Sequence, residues 1–131
     1  MMPLIVGGYA LAAHGLPRAT GDLDTWVWVH RSNAERIVAA LEESGFGGRG
    51  LAVSDFEETG RVVQLGYSPY RIDILTSIDG VEFDQAWERR VTVAIGNASL
   101  PIIGRDDLVA NKVAVGRAQD LADIARLRGD G

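Results

Sequence analysis

The sequence predicts an α/β (α+β) protein, a mixed β-sheet flanked by helices. Three observations lead there. Short apolar or alternating runs recur at residues 3–6, 22–30, 61–66, 71–77, 91–95 and 99–103, the pattern of strands. Segments with helix starts and stops fall between and after them. Hydrophobic residues make up 47% and charged residues 24%, the balance of a globular protein. At 131 residues the chain is expected to form one domain, 1–131, with a core of its own.

In order, residues 3–6 form a short apolar strand stopped by Gly7-Gly8. Residues 9–14 read as a brief helix, with Gly15 as its stop and Pro17 beyond. Residues 22–30 place Leu23, Thr25, Val27 and Val29 on one side of a strand, with acidic and aromatic residues on the other. Ser32 and Glu35 have capping-box spacing, and Ile37, Val38 and Leu41 give the helix after them its apolar stripe, ended by Gly45. Residues 47–50, Gly-Gly-Arg-Gly, read as a connector. Strands at 61–66 and 71–77 are joined through residues 67–70 as a hairpin. A short helix is expected at 82–89, and a second hairpin turns at Gly96-Asn97. Helices at 106–115 and 117–127 close the chain, separated by Gly116. No repeat or low-complexity tract interrupts this order.

Composition excludes several classes. A formal net charge of -5 argues against a dedicated DNA-binding protein, which needs surplus cations to displace counterions. The chain has no cysteine, which rules out disulfides and thiolate zinc sites. With His14 and His30 its only histidines, a metal here would be held by carboxylate oxygens, the chemistry of Mg²⁺ or Mn²⁺. The apolar start lacks a preceding Lys or Arg, is broken by Gly7-Gly8, and is too short to span a bilayer. A cytoplasmic protein with no membrane association is expected.

Asp22 and Asp24 are spaced i, i+2 on a strand, so both carboxylates lean to one face. Two anions held that close repel, and a divalent cation relieves them. Asp73 falls between Ile72 and Ile74, where an unpaired carboxylate would be costly to bury. A third carboxylate aimed at the same cation explains its position. On spacing alone, all three also fit ordinary loop and edge-strand carboxylates. Gly7-Gly8 lies between a strand and a helix, where backbone can approach a phosphate; it is equally good turn chemistry. Arg18 and Thr20 stand just before the Asp pair.

Gly7-Gly8, Asp22-Leu23-Asp24 and Arg71-Ile72-Asp73-Ile74-Leu75 together resemble the nucleotidyltransferase superfamily of the DNA polymerase β type. The stretch from Val6 to Asp24 resembles the small bacterial branch related to the AbiEii-type toxins. So does the tail, with Asp107-Leu108, Asn111-Lys112, then residues 117–123. The resemblance implies a nucleotidyltransferase fold, with Asp22, Asp24 and Asp73 as Mg²⁺ ligands and catalytic residues. It implies that Asp73 takes the acceptor's proton. Gly7, Gly8, Arg18, Thr20 and Lys112 would serve a nucleoside triphosphate such as ATP, Lys112 by neutralising a phosphate. A solvated surface role is the alternative for Lys112. The chain departs from that branch at two points. It begins at the first strand, where relatives carry a further helix, which implies a groove open to a homodimer mate or partner protein. Gln119 stands where a basic residue is expected.

Trp26 and Trp28 share the parity of the Asp pair and are expected to be covered by the chain itself or a second subunit. His14 reads as a packed or solvated residue. Asp120 and Asp123 share a helix face, either supporting Lys112 or Arg117 or facing water. Two functions compete. One is transfer of a nucleotide to a hydroxyl on a protein, an RNA or a small molecule. The other is a non-catalytic binding protein, such as a toxin–antitoxin component.

Overall fold

Six strands form one mixed sheet in the order β3-β4-β2-β1-β6-β5. The computed structural model describes residues 2–16, 21–45, 50–67 and 70–129. The strands are β1 Pro3–Val6, β2 Asp22–Val27, β3 Val62–Tyr67, β4 Tyr70–Leu75, β5 Val91–Ile95 and β6 Ala98–Ile102. The helices are α1 Gly7–Ala13, α2 Arg31–Glu43, α3 Phe83–Glu88, α4 Arg105–Val115 and α5 Ala118–Leu127, with a 3₁₀ turn at Val53–Phe56. The pairs β2·β4 and β1·β6 are parallel; β1·β2, β3·β4 and β5·β6 are antiparallel.

Side-chain alternation along the central strands divides the core in two. Trp26 joins Leu4, Leu11, Phe83, Ile103, Leu108 and Ile124 in one cluster, served by α1, α3, α4 and α5. Its neighbour Val27 points the other way, into Ala34, Ile37, Phe56, Leu65 and Ile74, beneath α2 and the 3₁₀ turn. The sheet is therefore covered on both faces. Among the described residues no helix is long and apolar enough to cross a membrane.

Most element boundaries shift by a residue or two from the sequence expectation, and three of the shifts have a local physical cause. Helix α1 starts at Gly7, directly from β1, without an intervening loop. Gly7 makes that bend at φ +68°, a backbone region hostile to other residues. Strand β2 ends at Val27 instead of residue 30, because the Trp28 carbonyl leaves the ladder and accepts from Asn33 Nδ2 at 2.8 Å. The cap of α2 is His30, whose Nδ1 accepts from the Ser32 backbone N–H at 3.2 Å. Ser32 and Glu35 thus do not form the expected capping box; Glu35 accepts from Arg31 Nε, one turn earlier. The expected connector at 47–49 and the turn at 68–69 lie outside the described residues.

The covered-tryptophan expectation holds within the chain for Trp26, which is 2% exposed and meets Phe83 edge-on at 5.0 Å between ring centroids. Trp28 is half-buried and stacks on His30 at 4.5 Å. His14 is a packing residue bound through Nε2 to the Ile103 carbonyl oxygen at 2.7 Å.

Candidate functional site

The site grows from the β1-β2-β4 register. In the parallel β2·β4 pair, Asp22 lies beside Arg71 and Asp24 beside Asp73. On the other side of β2, Asp24 pairs with Val6, the last residue of β1. Registered neighbours share a face, so Asp22, Asp24, Arg71 and Asp73 all project from the sheet face that carries Trp26 and Leu75. The three aspartates thus share one sheet face, which is the coarser part of the expectation that they converge on one cation.

Gly7 closes the site from the β1 side. A side chain at position 7 would run into the Asp24 carboxylate, at Oδ2, Cγ and Cβ. Glycine is required here twice over, by its φ of +68° and by this close approach. Gly8 follows in the first turn of α1. Arg18 and Thr20 lie outside the described residues.

Electrostatics at the site are unbalanced. Asp73 is 8% exposed and is held by Arg71 through two parallel bonds, Nε to Oδ1 at 2.9 Å and Nη2 to Oδ2 at 3.2 Å. The same guanidinium reaches Asp22 Oδ2 at 3.4 Å. Hydrogen bonding to Asp73, then the charges of Asp22 and Asp73, raise the Arg71 pKa further above its ordinary value. Asp24 is left with the deficit. Burial first, then the negative charges of Asp73 and Asp22, then a hydrogen bond to Asp73, push its pKa up to about 6, against a smaller opposing pull from Arg71. Near neutrality Asp24 is an uncomfortable anion.

The side chains gather around Arg71. Among the described residues no three acidic or imidazole groups stand as a ready cation cage. Their chemistry still fits a hard divalent cation: all donors are carboxylate oxygens, the backbone crowds Asp24 at Gly7, and Asp24 lacks a full countercharge. Asp22, Asp24 and Asp73 are the residues that could hold Mg²⁺ or Mn²⁺.

Lys112 is committed to other carboxylates. Its ammonium donates to Asp120 Oδ1 at 3.2 Å and Asp123 Oδ2 at 2.9 Å between α4 and α5. Lys112, Asp120 and Asp123 are 7%, 1% and 0% exposed, so the solvated-surface alternative fails for all three. A phosphate-neutralising cation needs free charge, and this one is already shared between two anions. Arg117 adds Nε to Asp120 Oδ2 at 2.7 Å, and Gln119 donates to Asp123 Oδ1 at 3.0 Å. The Arg117 hydrogen bond is the main cause that draws the Asp120 pKa down to about 2, against its burial.

The residue that sequence reasoning passed over is Arg71. The signal was present: Arg-x-Asp on a strand puts the guanidinium on the face of Asp73. No protein-family model matches the chain, and no curated protein matches it.

Proposed function

We propose that this chain is a Mg²⁺-dependent nucleotidyltransferase with the DNA polymerase β type of fold. It would move a nucleotide from a triphosphate such as ATP to a hydroxyl on a protein, an RNA or a small molecule. The observation that carries the reading is the register that sets Asp22 and Asp24 beside Asp73 on one face, with Gly7 against Asp24. Asp22, Asp24 and Asp73 would hold the Mg²⁺ or Mn²⁺, which when bound offsets the charge of the triphosphate oxygens. Gly7 and Gly8, at the start of α1, put no side chain of their own between the backbone and a phosphate held by that cation. Asp73 takes the proton of the acceptor hydroxyl once its pair with Arg71 opens. The acceptor oxygen bonds to the α-phosphorus, the bond from that phosphorus to the β-bridging oxygen breaks, and pyrophosphate leaves.

The test is incubation with α-labelled nucleoside triphosphates, Mg²⁺ or Mn²⁺, and cell extract as a source of acceptors. Label on protein, RNA or a small molecule with the parent, and none with Asp22→Asn/Asp24→Asn, supports catalysis. Equal label with both removes these aspartates from the reaction.

One observation favours a second reading, a binding protein such as a toxin–antitoxin component that keeps the fold without the chemistry. Arg71 already balances Asp22 and Asp73, so the fold holds these carboxylates together with no cation. That reading predicts no transfer by the parent and unchanged partner affinity in the double variant.

A further inference from the structure

We propose that Arg71 is an internal counter-cation that competes with the divalent metal for Asp22 and Asp73, and on displacement becomes a ligand of the triphosphate. This rests on the metal and nucleotide reading of the same site.

Arg71 stands two residues before Asp73 on β4 and beside Asp22 on β2, so its fork spans the carboxylates at the two ends of the cluster. Both Asp73 oxygens are engaged, at 2.9 and 3.2 Å, while the contact with Asp22 is longer, at 3.4 Å. A divalent cation shared by Asp22, Asp24 and Asp73 would draw on the same oxygens and would repel a guanidinium held between two of them. The two cations cannot both be held at full strength.

Where the guanidinium goes is set by its exposure. The Arg71 side chain is 32% exposed, whereas that of Asp73 is 11% exposed. Arg71 thus enters the cluster from the solvent side and can leave it without disturbing the core. A triphosphate approaching the metal comes from that same side, carrying pairs of anionic phosphate oxygens that a guanidinium fork can bind in bidentate fashion. One residue then serves two states. Without ligand it neutralises the carboxylates; with metal and nucleotide it neutralises phosphate. Arg71 is a positioning residue for the carboxylates and a binding residue for the nucleotide.

The test separates this inference from the reading beneath it. Mn²⁺ binding is measured by electron paramagnetic resonance on the parent, Arg71→Met and Arg71→Lys, without nucleotide. Arg71→Met is expected to bind Mn²⁺ about tenfold more tightly, the scale of one competing charge-assisted pair. Arg71→Lys keeps the charge without the fork and falls between the two; it also serves if the Met variant does not fold. With Mn²⁺ saturating, ATP affinity of Arg71→Met is expected to fall by about the same factor. A variant that binds Mn²⁺ equally or less tightly than a metal-binding parent overturns the competition and leaves the metal site standing. Unchanged ATP affinity overturns the second half. Mn²⁺ bound by neither parent nor variants overturns the metal reading and this inference with it.

Discussion

Asp24 of β2 and Asp73 of β4 are registered side by side in a parallel strand pair, and only Asp73 has an arginine on both of its oxygens. Asp24, hydrogen-bonded to Asp73, has its pKa raised to about 6, chiefly by burial and then by the charges of Asp73 and Asp22.

For Asp24 the folded pKa lies above the ordinary value of 3.8. The group's contribution is fully present below that ordinary value and is lost as the pH rises through about 6. Asp24→Asn mimics the protonated form, so the variant is expected to be more stable than the parent at pH 8 and about equal near pH 4. Urea unfolding at both pH values checks this. A variant less stable than the parent at pH 8 would mean that the ionised form of Asp24 is favoured by its surroundings.

Gly7→Ala places a methyl group against the Asp24 carboxylate at a φ of +68°. The expected loss is about 1–3 kcal/mol, the range for a residue forced into the left-handed region. Because part of that loss is a collision with one side chain, combining Gly7→Ala with Asp24→Ala is expected to cost less than the sum. Strict additivity in thermal unfolding would show that Gly7 and Asp24 do not touch.

The Lys112 cluster gives a prediction of opposite character. Lys112→Met leaves Asp120 and Asp123 buried with less countercharge, at an expected cost of about 3–5 kcal/mol in the absence of any nucleotide. Asp120, with its pKa lowered to about 2, contributes stability present above pH 3.8 and lost as the pH falls toward 2. Acid titration of the parent's unfolding midpoint reads that loss. A Lys112→Met protein as stable as the parent but defective in ATP binding would restore the phosphate role.

The face shared by Asp22 and Asp24 was legible in the sequence, because i, i+2 spacing on a strand leaves little freedom. The parallel register that sets Asp24 beside Asp73 was not, since strand pairing depends on how distant segments meet. The start of α2 misled for a local reason: Ser32 and Glu35 have the right spacing, but His30 reaches the Ser32 N–H first. Support of Lys112 by Asp120 and Asp123 was one of two sequence readings, and tertiary packing decided between them. A lysine on a helix is usually solvated, and only the packing of α5 on α4 brings Asp120 and Asp123 over it. Arg71 was in plain view as Arg-Ile-Asp, and its role came from the cross-strand neighbour Asp22, invisible in one segment alone.

The most direct test of the central claim is the thermal midpoint of the parent and of Asp22→Asn/Asp24→Asn, each measured alone, with Mg²⁺, and with Mg²⁺ and ATP together. A ligand that binds the native state must raise the midpoint, by an amount set by its concentration over Kd. The parent is expected to shift upward with Mg²⁺ and ATP together, more than with either alone. The double variant is expected to match or exceed the parent without ligand and to show no ligand shift. An equal shift in parent and variant, or none in the parent at millimolar ATP and Mg²⁺, would contradict the assignment of Asp22, Asp24 and Asp73 as a metal and nucleotide site.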